Sequence, residues 1–157
     1  VLDSFRSASI LKNLRTLHIR MKQHSANAQY LAEKLADDGL RVIYPGLKRH
    51  NEHELMKTLM NQEYGFGGLF VIDMGTQEKA NQLMEAMQNS NIGYLAVSLG
   101  SYKTLFSAPG GSTSSEIPEE ERIEMGLTDG LVRISIGLDN NIERTYEMIK
   151  NCLVNAV

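Results

Sequence analysis

Gly130-Leu-Val-Arg-Ile-Ser-Ile-Gly137 is an apolar run with a glycine at each end and one guanidinium, Arg133, near its middle. A short apolar run with β-branched residues between glycines predicts a buried or half-buried strand. A cation inside such a strand is costly unless an anion meets it. Arginine presents a rigid planar fork that fits a carboxylate or phosphate through two parallel hydrogen bonds. Arg133 is therefore a candidate anion receptor. A structural ion pair, or an arginine on the wet face of an edge strand, explains the same run.

Working outward, the segments before Arg133 alternate between strand and helix patterns. Arg41-Val-Ile-Tyr44 predicts a short strand closed by Pro45-Gly46, Leu69-Phe-Val-Ile-Asp-Met74 a second, and Tyr94-Leu-Ala-Val-Ser98 a third. Ile10, Leu14, Leu17, Met21, His24, Ala28, Leu31 and Leu35 recur at steps of four and three, which predicts one long helix over residues 1–38. Asp3 or Ser4 can cap its start and Gly39 can end it. At ~1.5 Å per residue it is on the order of 50 Å long, so part of its stripe is expected to pack on something outside this chain. Asn51 with Glu54 has the pattern of a capping box before a helix to Met60. Thr76 is placed to cap a helix with Ala80, Leu83, Met84 and Met87 on one face. Residues 99–130 read as a long irregular stretch holding a Gly/Ser cluster and a short helix after Pro118, with Gly126 past its end. Asp139 or Asn140 is the expected cap of a last helix that turns Ile142, Tyr146, Ile149 and Leu153 inward. This order fits an α+β two-layer sandwich: a small, mostly antiparallel sheet with helices on one face, in a single domain over residues 1–157.

The chain has 157 residues, 42% of them hydrophobic and 22% charged, with a net charge of −3. That composition is ordinary for a globular domain, and no basic excess points to nucleic acid or anionic lipid. No apolar stretch is long enough to cross a bilayer and no signal peptide pattern opens the sequence, so a cytoplasmic setting is expected. The lone Cys152 excludes an intrachain disulfide.

Other chemistry-bearing residues carry weaker signals. His50 and His53 are three apart without a third ligand, so surface, capping or local packing roles are expected and metal is not. His24 lies on the apolar stripe and reads as a packing histidine. Cys152 lacks a recognisable base for nucleophilic work. Gly65-Phe-Gly-Gly68 precedes a strand instead of following one, so it is no dinucleotide fingerprint. Gly110-Gly-Ser-Thr-Ser-Ser115 lacks the lysine and long helix of a phosphate loop. Glu119-Glu-Glu121 reads as a solvated first helical turn.

Several spaced motifs then agree on one resemblance. They are Leu14-Arg-Thr-Leu-His-Ile-Arg-Met21 with His24 and Asn27; Tyr44-Pro-Gly-Leu47 with His50 and His53; Gly65-Phe-Gly-Gly68; Val97-Ser-Leu-Gly100 with Thr104-Leu105; and Pro118-Glu-Glu-Glu-Arg122 with Gly126 and Gly130–Gly137. In this order they resemble the C-terminal domain of the Cys/Met-metabolism family of pyridoxal-phosphate enzymes, the methionine γ-lyase and cystathionine γ-synthase group. Ser101–Ser107 is most similar to the bacterial methionine γ-lyase branch.

The resemblance implies a type I aminotransferase-like fold in which this domain, through its 1–38 helix, packs beside a larger cofactor domain. It implies that Arg133 binds the substrate α-carboxylate and that Ser98 lies beside it. It also implies pyridoxal 5'-phosphate in the full-length enzyme, a sulfur amino-acid substrate and a homotetramer. The family's cofactor-bearing lysine sits in a Ser-x-Thr-Lys setting, which neither Lys12 nor Lys103 has. The fragment alone is thus expected to bind no cofactor and to be inactive. Ser112 stands where the family usually has methionine, which bears on side-chain specificity. Sister activities imply the same fold and arginine: γ-replacement with sulfide, as in O-acetylhomoserine sulfhydrylase, cystathionine γ-synthase or a cystathionine lyase. A stand-alone binding module without catalysis is the reading from another class.

Overall fold

The computed structural model describes residues 2–110 and 116–154. Among them, five strands form one sheet: β1 (Arg41–Ile43), β2 (Leu69–Asp73), β3 (Gly93–Leu95), β4 (Thr104–Ser107) and β5 (Leu131–Ser135). Their spatial order is β1-β2-β5-β4-β3, and every pair is antiparallel except β3–β4. The arginine strand β5 is the central strand of the sheet, which overturns the edge-strand alternative. Both glycines that bracket it are required by close backbone approach. A Cβ on Gly130 would lie 2.6 Å from the Gly75 backbone, and one on Gly137 would lie 2.6 Å from the Thr104 nitrogen.

Among the described residues, six α-helices accompany the sheet: α1 (Ser4–Leu14), α2 (Leu17–Asp37), α3 (His53–Leu59), α4 (Gln77–Asn89), α5 (Glu119–Glu124) and α6 (Ile142–Val154). Strand side chains alternate between faces, so Val42, Phe70, Ile72, Phe106, Val132 and Ile134 share one side. Leu31 and Leu35 of α2, Leu83 and Met87 of α4, and Ile149 and Leu153 of α6 join these residues in one buried cluster. The α+β sandwich with helices on one face is the observed architecture. Thr76 caps α4 by accepting the Lys79 N–H, and Asp3 caps α1 by accepting the Arg6 N–H.

Five expectations are corrected. β4 lies inside the stretch expected to be irregular. It is only four residues long and polar at both ends, and its place between β5 and β3 comes from pairing rather than from its own pattern. β3 ends at Leu95, short of the expected Ser98. The long helix is two helices broken at Arg15 and Thr16. The Asn13 carbonyl there receives the Arg20 guanidinium at 2.8 Å and the Thr16 hydroxyl at 3.5 Å, so side chains occupy the helix ladder. Asn51 does not cap α3, whose first flanking residue is Glu52 with its N–H bonded to His50 Nδ1. For α6 the cap is Asn141, which accepts the Arg144 N–H, while Asp139 accepts the Asn141 N–H one step earlier.

β3 and β4 run parallel, and such pairs normally need a dozen or more residues to cross over. Residues 96–103 do it in less and without a helix. Ala96 N–H bonds to the Phe106 carbonyl, and Gly100 N–H donates to the Ser135 hydroxyl at 3.2 Å. The connection therefore returns across the sheet face opposite the helices, where Ser135 points.

Candidate functional site

That second face carries the functional candidates. The pairing register places Ile43, Val71, Arg133 and Ser107 in one row across four strands, and Leu69, Ser135, Leu105 and Tyr94 in the next. Arg133 and Ser135 are two apart on β5 and so share the face. The second face is mixed in character: Ser107, Ser135 and Leu105 are buried, while Leu69 and Tyr94 are exposed.

Arg133 is half-buried at the centre of its row. Among the described residues it takes part in no ion pair. The structural-pair explanation therefore has no partner here. Its Nε is fully buried and meets no hydrogen-bond acceptor, and the hydroxyl of the opposite residue, Ser107, is likewise buried and unpartnered. A buried donor on a cation without an acceptor costs more than a neutral one. An anion held at the guanidinium would offset the cost of burying its charge, and the planar fork suits a carboxylate. Ser98 lies on the connection that crosses this face, exposed, between Ala96 and Gly100. Among the described residues no hydrogen bond joins Ser98 to Arg133. The fold brings the two to one side of the sheet without a direct contact.

Among the described residues, no lysine falls in any strand. Lys103 sits over the Tyr102 ring at 5.9 Å from its centroid, and Lys12 is on the exposed α1. The Arg133 row on this face suits an anionic ligand group.

Beyond the Arg133 row, Arg122 of α5 donates to the Gly110 carbonyl at 3.1 Å and pairs with Asp129 at 3.4 Å, which ties α5 to both flanks of the loop ahead of β5. Gly111–Ser115, including Ser112, lie outside the described residues. His24 bonds through Nδ1 to the Ile136 carbonyl at 2.6 Å and packs against Gly68, with its Nε2 buried and unpartnered. His53 is buried, stacks on Phe66 with centroids 4.9 Å apart and bonds to the Pro45 carbonyl at 2.7 Å. Local packing is thus the role of both histidines, and no group of His, Cys, Asp or Glu among the described residues could hold a metal ion. Cys152 is buried beside the Ser90 hydroxyl.

Groups with shifted ionisation serve the scaffold. Burial pushes the Tyr44 phenol up to about 12, and it donates to the Gly67 carbonyl at 2.9 Å. The Tyr146 hydroxyl donates to Asp38 at 2.6 Å and holds that carboxyl below its ordinary range, joining α6 to the end of α2.

Residues 1–151 match the family model described as Cys/Met metabolism PLP-dependent enzyme. A methionine gamma-lyase of Arabidopsis thaliana is 45% identical over 139 residues, covering 88% of this chain and 32% of that protein. A cystathionine gamma-lyase of Bacillus subtilis (strain 168) is 36% identical over 148 residues, covering 93% of this chain and 37% of the relative. Among solved structures, cystathionine gamma-lyase from yeast superposes with a TM-score of 0.83 at 33% identity, over 92% of this chain and 37% of that one. The chain thus spans about a third of the length of these relatives. It belongs to the Cys/Met metabolism PLP-dependent enzymes.

Proposed function

We propose that this member of the family is the C-terminal, carboxylate-binding domain of a pyridoxal-phosphate-dependent methionine γ-lyase, which converts methionine to methanethiol, 2-oxobutanoate and ammonia. The observation that carries the proposal is Arg133: a guanidinium on the central strand, in no ion pair among the described residues, on the face opposite α2, α4 and α6. The 45% identity to a methionine gamma-lyase supports the choice of substrate.

In this reading Arg133 takes the α-carboxylate of the amino acid in a bidentate grip, and Ser98 lies beside the same group on the crossing segment. Two-point capture of the carboxylate removes rotational freedom from the substrate and fixes how its Cα–H bond is presented. The pyridoxal cofactor, held by the rest of the full-length enzyme, supplies an electron sink. Because no lysine of this chain stands in the Ser-x-Thr-Lys setting, the chain alone retains no cofactor and turns nothing over. Helix α1 docks on the cofactor domain: none of its residues is buried, and Phe5 is 83% exposed. The full-length enzyme is a homo-oligomer, with a homotetramer expected.

A second reading, cystathionine cleavage, is favoured by the relatives named cystathionine gamma-lyase and cystathionine beta-lyase at 36% and 38% identity. The fold and Arg133 serve it equally, since only the substrate side chain differs. The test is a side-by-side assay of the full-length enzyme on methionine, cystathionine, and O-acetylhomoserine with sulfide. The proposal expects the highest kcat/KM for methionine with release of methanethiol. A preference for either other substrate moves the assignment to the sister activity.

A further inference from the structure

We infer that Ser107 is the positioning residue of the Arg133 anion site: once a carboxylate is bound, its hydroxyl accepts the Arg133 Nε–H and leaves both Nη groups to the ligand. The inference rests on the carboxylate reading of Arg133 given above. It starts from the sequence of β4, Thr104-Leu-Phe-Ser107, whose alternation sends Phe106 to the helix side and Leu105 and Ser107 to the opposite face. Ser107 is the direct cross-strand partner of Arg133, and directly opposed residues hold their Cβ atoms about 4.5–5.5 Å apart.

Two buried polar atoms without partners, the Ser107 hydroxyl and the Arg133 Nε, therefore belong to directly opposed residues. Ser107 is only 5% exposed, so water does not substitute for a missing partner as it would at a surface. Reach decides which part of the arginine the serine serves. Its hydroxyl oxygen is one bond beyond Cβ, whereas the Nη atoms are five bonds beyond the arginine Cβ. The hydroxyl is level with the near half of the side chain and short of the tip. It suits the Nε and does not extend to a ligand held at the fork. A guanidinium fixed at Nε cannot rotate in its plane, and its remaining donors form the end-on fork that grips a carboxylate. Ser107 thus acts through Arg133, not on the substrate.

The test uses the full-length holoenzyme and reads binding ahead of turnover. Dissociation constants are taken from the concentration dependence of the rapid first binding phase, for methionine and for 3-(methylthio)propylamine, the analogue that lacks the carboxylate. Ser107→Ala, Ser107→Thr and the near-isosteric Ser107→Cys are compared, each alone and with Arg133→Ala. Should the alanine variant fail to fold, the cysteine variant carries the comparison. The expected result is methionine binding weakened about tenfold by Ala and Cys, near-normal binding with Thr, and an unchanged constant for the amine. Ser107→Ala adds nothing once Arg133 is alanine. Unchanged methionine affinity in Ser107→Ala and Ser107→Cys overturns the inference, as does a loss that persists with the amine or in the Arg133→Ala background. Unchanged methionine affinity in Arg133→Ala alone instead sinks the carboxylate reading on which the inference stands.

Discussion

On the helix side of the sheet, β2, β5 and β4 present Phe70, Ile134 and Phe106, all fully buried among α2, α4 and α6. One residue along each strand, the other side presents Val71, Arg133 and Ser107, with a cation at the centre and two polar atoms that meet nothing. The strands are the same and only the pleat separates them. Neighbours such as Ile134 and Arg133 therefore differ in surroundings: the first face closes the core, and the second carries the groups proposed to bind. A site on a central strand has little freedom to move away from its ligand, which suits the orientation of a small anionic substrate.

The comparison can be broken most forcefully on the closed side. Phe106→Ala should cost about 3–5 kcal/mol of folding stability, by loss of buried surface and a cavity that neighbours only partly fill. Urea unfolding of the chain reads this directly, and a cost under about 1 kcal/mol would contradict the packed helix side. A smaller effect is expected where α2 is tied to the end of β5. Asn27 is buried and its side-chain amide donates to the Gly137 and Asp139 carbonyls, both at 3.0 Å. Asn27→Ala orphans those carbonyls and should cost about 1–3 kcal/mol, measured the same way. The smallest effect belongs to α1. Phe5→Ser in this chain should change stability by no more than about 0.5 kcal/mol, because α1 buries nothing here. A larger loss of stability in the full-length enzyme would sharpen the docking assignment for that helix.

Much of this was legible in the sequence, and the exceptions have physical causes. β2, β5, α4 and α6 carry patterns long enough to stand alone, and Arg133 is conspicuous as the one charge in an apolar run. β4 was not legible because Thr104-Leu-Phe-Ser107 is too short to show a period and owes its extended form to β5. Ser107 was hidden with it: once the strand is assigned, alternation from Leu105 and pairing with Arg133 identify it. The break at Thr16 has no glycine or proline to announce it, since its cause is Arg20 folding back onto the Asn13 carbonyl. The shared face of Ser98 and Arg133 depends on a bond from Gly100 to Ser135, far apart in sequence, and only the resemblance to the family suggested it.

The central claim is that Arg133 receives the substrate carboxylate. It is tested most directly by kcat/KM for methionine in the full-length enzyme carrying Arg133→Ala, with the folded state checked by thermal unfolding. Loss of a charged two-bond contact is expected to weaken transition-state binding by roughly 3 kcal/mol or more, on the order of a hundredfold in kcat/KM, with folding intact. An unchanged kcat/KM in a properly folded variant would contradict the account.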